Sequence, residues 1–549
     1  MHLRSIISLF LGRPSSRHPA FSDLKQKADN IFKVWQRIIF WGVLFIGSFL
    51  IYFALHFHGL ISEESMELAG IGRNIAMGKG CVSPIESPCF LNRDSLISNY
   101  FSPSPPPLYC WIQSISFRIG GYKDSSAVLA GVFFFMAACL LNYAIGLRLY
   151  NRKTALIIFL FTFTNPVLLR NSINGLPTAF LSFLVVLLFY GMDVLPKKSS
   201  AVLGGIVLGL GFLTDYSWSF IVIPLLIYYV IIYRKDRILN VCIILAVYCV
   251  IISPWLIGEI RGARSSYFLN LDLLWKSSTG LFPALTARGL YGLSFQSVYL
   301  PLPLIIGKIH HGLSLLYKEG LLISGNFIAA FFWASIFCKI RDKRIRKYNC
   351  FICILLGGAG VWFVISGFRA DVLTPFLPLI IIFGTGFFLD LITRFSSRNK
   401  KVFNLILSGF ILLNCWPTLI SGWNVPSPDR KDMRDSLDYL RTLIREDELV
   451  VTDIPEFVGW YGSRRAVRLP LNIPMFEEMI RDHSRLKFLL LSPRIMGEFG
   501  LDPTGQWRKV YLNKSLPGKM DLEQVMLLPG RLELMGRKTI LLNRISSRW

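Results

Sequence analysis

Residues 61–80 read ISEESMELAGIGRNIAMGKG, which places Glu63 and Glu64 side by side just past the first long apolar run. A carboxylate at such a place can take a proton from an attacking hydroxyl. Acidic side chains at the end of a span are also ordinary solvated interface groups, so position alone leaves both readings open. The histidines offer less. His310 and His311 are adjacent and diverge on a helix, and His56 and His58 stand two apart, so neither pair has metal-ligand spacing and no metal is expected. Most of the 10 cysteines sit in apolar runs, Cys350 and Cys353 among them, but Cys81 and Cys89 bracket VSPIESP in a long loop. An oxidising compartment would allow these two to pair.

The elements that must carry these residues follow from composition. The chain has 549 residues, 53% of them hydrophobic, with 43 Phe and a mean hydropathy of +0.49. That exceeds what one soluble core needs and indicates a polytopic α-helical membrane protein. The apolar runs suit a ~30 Å hydrocarbon core, and they divide into about eleven spans. The first run, Ile38 to Leu55, follows a basic segment (residues 1–37) and has no small-residue cleavage site, so it reads as an uncleaved anchor. Alternate loops are then basic: RLYNRK (148–153), PKKSS (196–200), YRKDR (233–237), KIRDKRIRKYN (339–349) and TRFSSRNKK (393–401). Basic loops stay cytoplasmic, which puts the N-terminus inside. The same rule accounts for much of the +25 net charge, so no nucleic-acid partner is expected.

An odd number of spans leaves the C-terminus outside, and composition changes after residue 421. Residues 422–549 look soluble: Ser427 and Pro428 open a helix whose Met433, Leu437, Leu440 and Ile444 share a face. The candidate strands ELVVTD (448–453), RAVRLP (465–470) and LKFLLLSP (486–493) then alternate with helical stretches. This predicts a small extracytoplasmic α/β domain behind a transmembrane domain over 38–421. Two long outer loops, 56–125 and 253–318, interrupt that domain. The α/β part has no phosphate-binding fingerprint.

Several motifs occur in order. After the acidic pair come A-x-x-x-R-N-I-A-x-G-x-G (Ala69 to Gly80), PPPLY (Pro105 to Tyr109) and IGG. GLGFLTDYSWSFIVIPLLIYY (209–229), SPWLI (253–257) and FRADVLTPFLPLI (368–380) follow. Together they resemble the GT-C membrane glycosyltransferases that use polyprenyl-phosphate sugars, such as lipid A aminoarabinose transferases and protein O-mannosyltransferases. The resemblance covers roughly residues 38–420. It departs at Glu67 and Leu68, where the family carries an aromatic, at RNSINGLPT (170–178), which lacks the family's second acidic residue, and at Asp215, which replaces a lysine.

The resemblance implies inverting-type sugar transfer from a polyprenyl-phosphate donor to a lipid, glycan or protein acceptor on the outer face of the membrane. It implies a multi-pass cell-envelope enzyme of the plasma (inner) membrane, of the kind that modifies lipopolysaccharide, with its C-terminal domain extracytoplasmic or periplasmic. Membrane lipids would surround it, and no cofactor is implied. Glu64 fits the spacing to Gly78 of one branch and is the favoured base; Glu63 fits the other. A leaving phosphate needs cationic partners, and Arg369, Arg261 and Arg264 are the candidates. Rival readings are a transporter or flippase of lipid-linked glycans and a noncatalytic GT-C-like scaffold.

Overall fold

The computed structural model describes residues 42–86, 88, 106–232, 236–261, 306–307, 309–314, 327–338, 342–366, 373–395, 400–420, 428–497, 502, 504–513, 523–528 and 532–536. It forms two compact units, residues 1–57 and 58–549. The first holds helix α1 (Gly42–His56), stiffened by stacking of Tyr52 on His56 and Phe53 on Phe57 four residues apart.

The second unit opens with α2 (Glu63–Ala76), the two-residue strand β1 (Ile85–Glu86) and α3 (Pro107–Gly120). The apolar helices α4 (Asp124–Leu149), α5 (Arg152–Phe163), α6 (Pro166–Ser172), α7 (Thr178–Val194) and α8 (Lys197–Phe212) follow. A tight turn at Tyr216–Ile221 leads into α9 (Val222–Ile232) and α10 (Arg237–Arg261). Beyond lie α11 (Phe327–Phe337), α12 (Lys343–Ser366), α13 (Leu377–Phe395) and α14 (Lys400–Ile420).

Among the described residues, three helical stretches are long and apolar enough to cross a bilayer: Asp124–Leu149, Arg237–Gly258 and Thr374–Arg394. Counting α5 with α6 as one bent span makes four, and five further apolar helices have 10–17 residues. The bend is 58° and has a local cause. Pro166 cannot donate a backbone hydrogen bond, and the Asn165 side chain accepts from Val167 and Leu168 to restart the helix.

Small residues bring the apolar helices together, as expected where dispersion rather than water drives packing. A Cβ on Gly131 of α4 would lie 2.7 Å from the Ser172 carbonyl of α6, and one on Gly146 2.8 Å from Ala155 of α5. Gly205 and Gly209 of α8 are similarly closed by Val247 and Ile251 of α10. The two ends of α4 differ in chemistry. At its C-terminal end Arg148 reaches Asp193 of α7 at 2.7 Å, and Arg344 and Tyr348 of α12 bind the same carboxylate. At its N-terminal end Asp124 accepts from Arg434 (2.6 Å), Trp460 (2.7 Å) and Tyr461 (3.1 Å).

Those three residues belong to the last part of the chain. It contains α15 (Pro428–Leu443), β2 (Leu449–Thr452), α16 (Pro455–Trp460), β3 (Arg465–Arg468), α17 (Ile473–Asp482) and β4 (Leu486–Leu491). Then come α18 (Gln506–Asn513), β5 (Glu523–Leu528) and β6 (Leu532–Gly536). The strands make one six-stranded sheet in the order β1-β3-β2-β4-β6-β5. β1 to β4 run parallel, and β6 pairs antiparallel with β4 and β5. Side chains alternate across it. Val451, Leu489 and Leu491 pack with Phe476, Met479 and Trp507, whereas Val450, Phe488 and Leu490 pack with Leu437, Leu440 and Ile444. Both faces are covered, so β2 and β4 are almost continuously apolar. The sheet also extends beyond residues 422–549, because β1 comes from the loop after α2.

Candidate active site

Helix α2 positions the acidic pair. Ser62 caps it, its hydroxyl accepting from the Ser65 amide at 3.1 Å, and Glu63 and Glu64 occupy the first turn, where the helix dipole favours negative charge. The helix is hemmed in by close approaches. A Cβ on Gly70 would lie 2.6 Å from Pro84, and one on Gly72 3.1 Å from Gln113 of α3. The Asn174-Gly175 turn of RNSINGLPT packs on its first turn: Gly175 has φ +79°, and a Cβ there would lie 3.2 Å from Ser65. At the other end Arg73 donates to Gly459 O (2.6 Å), Trp460 O (2.8 Å) and Ser463 Oγ (3.1 Å). It thereby caps the C-terminus of α16 and lies over the Trp460 ring.

The two neighbouring glutamates take different surroundings, because consecutive positions point about 100° apart on a helix. Glu63 pairs with Arg494 at 2.7 Å and is half-exposed. Glu64 is half-buried on another side of the helix. One turn on from Glu63, Glu67 accepts from Ser83 (3.1 Å) and lies 3.7 Å from Arg468, which also pairs with Glu456 at 2.5 Å. Glu456 is 1% exposed. Burial pushes its carboxyl up; Arg468 opposes this, and Glu63 and Glu67 add to the push.

The sheet explains why arginines gather here. β2 lies between β3 and β4, so the chain leaves β2 toward one side of the sheet and leaves β4 toward the other. Open parallel sheets bind ligands at the carboxyl ends of strands flanking such a reversal. Asp453 follows β2, Arg468 ends β3, and Ser492 and Arg494 follow β4. Asp453 accepts from the Ser492 amide (2.9 Å) and hydroxyl, and burial pushes its carboxyl up to about 6. The Glu63 side chain of α2 enters this constellation through Arg494.

Four of the sequence motifs meet at one end of the helical bundle. The Leu108 amide of PPPLY donates to Leu213 O at 2.9 Å, just before Asp215. Trp255 of SPWLI donates to the Tyr216 hydroxyl (2.9 Å), and Trp218 stacks on Phe376 of TPFLPL at 6.3 Å. Asp215 itself caps the turn at Tyr216–Ile221, accepting from the Ser217 amide (2.9 Å) and hydroxyl (2.7 Å). Of the candidate phosphate ligands, Arg369 and Arg264 lie outside the described residues. Arg261 ends α10, and its side chain lies outside them as well. Cys89 and most of loop 253–318 also lie outside. Among the described residues no cluster of metal-ligating side chains occurs.

Sequence reasoning missed Glu67, Glu456, Arg468 and Arg494 as neighbours of the pair. The available signal was that Arg468 and Arg494 fall at the carboxyl ends of expected strands.

The profile of the dolichyl-phosphate-mannose-protein mannosyltransferase family matches residues 104–257, from PPPLY to SPWLI. No curated protein sequence matches. Among solved structures, ArnT from Cupriavidus metallidurans bound to undecaprenyl phosphate is similar with a TM-score of 0.58 at 13% identity, over 90% of this chain and 98% of that one. Its apo form matches at 0.56 and 11% identity, over 92% and 99%. The Archaeoglobus fulgidus oligosaccharyltransferase in complex with Zn and sulfate matches at 0.53 and 13%, over 85% and 69%. The chain therefore has the GT-C glycosyltransferase fold.

Proposed function

We propose that the protein transfers a sugar from a polyprenyl-phosphate donor to an acceptor hydroxyl on the outer face of the membrane, with Glu64 as general base. In this reaction Glu64 takes the acceptor proton while the acceptor oxygen bonds to the anomeric carbon. The carbon–oxygen bond to phosphate breaks on the opposite face, and the phosphate leaves with the electron pair, which inverts the anomeric centre. The observation that carries the assignment is the place of Glu64, half-buried in the first turn of α2, where the helix dipole favours a carboxylate, and on another side of the helix from Glu63. The donor reading draws on the undecaprenyl phosphate named for the similar ArnT structure and on the mannosyltransferase profile. Arg369, Arg261 and Arg264 are proposed to hold the donor phosphate. The polar network at the N-terminal end of α4 and the arginines at its other end support an outer position for the sheet.

Glutamine keeps the size of glutamate but cannot accept the proton. Glu64→Gln is expected to lower turnover roughly 10²–10⁴-fold with donor binding retained, whereas Glu63→Gln costs much less. Transfer from a radiolabelled polyprenyl-phosphate sugar in proteoliposomes measures both. Full activity in Glu64→Gln would remove the base from this reading. Loss confined to Glu63→Gln would move the role one residue back.

A further inference from the structure

A cavity opens beside the far end of α2. It measures about 430 Å³ and is lined by Arg73, Lys79, Arg441, Arg464 and Arg465 against the single carboxylate Glu446. That volume suits a saccharide with one charged substituent. Two of the cations donate their hydrogen bonds to neutral groups, although the Glu446 and Glu448 carboxylates also act on Arg464. Arg73 is spent on two carbonyls and a hydroxyl, and Arg464 donates to Ile444 O (2.7 Å), Arg441 O (2.6 Å) and Ser463 O (3.1 Å). Arg465 is paired with Glu86, and Arg441 has only a loose partner in Asp438 at 3.8 Å. Lys79 is exposed at the rim. Ser463, between α16 and β3, is held at φ +48°, in the left-handed region uncommon outside glycine. Burial, with Arg441 adding to it, pushes Arg73 down to about 10.

We propose that this cavity binds a phosphate-bearing saccharide portion of the acceptor. Five cations lining a concave site with one carboxylate among them favour an anion, and arginines match the oxygens of a phosphate group. Position excludes the donor phosphate, which is bonded to the reacting carbon. Arg73 stands ten positions after Glu63 on one helix, roughly 15 Å away at 1.5 Å per residue. The acceptor assignment rests on the proposed transferase reading; anion binding does not.

The test uses full-length protein in detergent with glucose 6-phosphate, inorganic phosphate and glucose as probes, followed by isothermal titration. Glucose 6-phosphate is expected to bind, glucose is not, and Lys79→Glu with Arg441→Glu is expected to weaken binding at least tenfold. Both side chains are exposed, so the thermal midpoint should hold; Lys79→Gln alone, expected to give a smaller loss, serves if the double variant unfolds. Unchanged affinity in the variants, or no binding by either phosphate, would overturn the site. Inorganic phosphate binding as tightly as the sugar phosphate would overturn the saccharide assignment. Glu64→Gln is expected to bind the probe normally, which separates failure of this site from failure of the transfer reading.

Discussion

At the scale of single residues, burial sets what each acidic group can do. Asp453 sits beneath the strand ends, 5% exposed, with burial raising its carboxyl to about 6 despite donation from Ser492 and the nearby Arg494. The folded chain thus holds this proton more tightly than the unfolded chain, where an aspartate titrates near 4. The penalty for ionising it is absent below about pH 4 and complete above about pH 6, where it reaches on the order of 3 kcal/mol. Asp453→Asn keeps an acceptor for Ser492 and removes that penalty. Its thermal midpoint relative to the parent is expected to be more favourable at pH 7.5 than at pH 4.5, read by scanning fluorimetry; a pH-independent difference would refute this. Glu63 and Glu64 were visible in the sequence as a pair, but their different surroundings were not. Telling them apart needs Arg494, which lies more than four hundred positions later.

At the scale of elements, local signals were legible wherever short-range chemistry decides. Pro428 opens α15, and Leu437, Leu440 and Ile444 are buried together at steps of three and four. β2, β3 and β4 fall within the segments ELVVTD, RAVRLP and LKFLLLSP. The Met433 side chain lies outside the described residues. Asp215 shows the opposite case: compared with a family motif it is a departure, yet locally it is a good cap, an oxygen acceptor at the start of a tight turn. Asp215→Ala is expected to cost about 1 kcal/mol, and Asp215→Asn much less. Thermal unfolding followed by tryptophan emission suits the measurement because Trp218 lies in that turn. Equal damage from both substitutions would assign Asp215 a task other than capping.

At the scale of the whole molecule, the two ends of α4 point to sidedness. A 26-residue helix spans about 39 Å, enough to cross the hydrocarbon with both ends in polar surroundings. Arg148 and Arg344 gather on Asp193 at one end, and the sheet-bearing part attaches through Asp124 at the other. A reporter active only outside the cytoplasm is therefore expected to work when fused after Trp549 and to fail when inserted near Arg344. The reverse pattern would put the acidic pair on the cytoplasmic side and end the proposed mechanism. In the sequence, the alternation of basic loops is what predicts this sidedness. The seating of the last sheet against α2 and α4 did not show, because its contacts join segments three to four hundred positions apart and leave no local periodicity.

Strand β1 carries a consequence for how the protein is made. Glu86 meets Arg465 across 379 positions of chain, so the edge of the sheet is synthesised long before the strand it borders. At ~5–20 residues per second the ribosome needs roughly 20–75 seconds to deliver that partner. For that interval the segment after α2 waits with its backbone amides and carbonyls unmatched, while half a dozen or more apolar helices thread behind it. The acidic pair thus reaches its final surroundings only once the last quarter of the chain has arrived, because Arg494 beside Glu63 and Arg468 beside Glu67 both come from it.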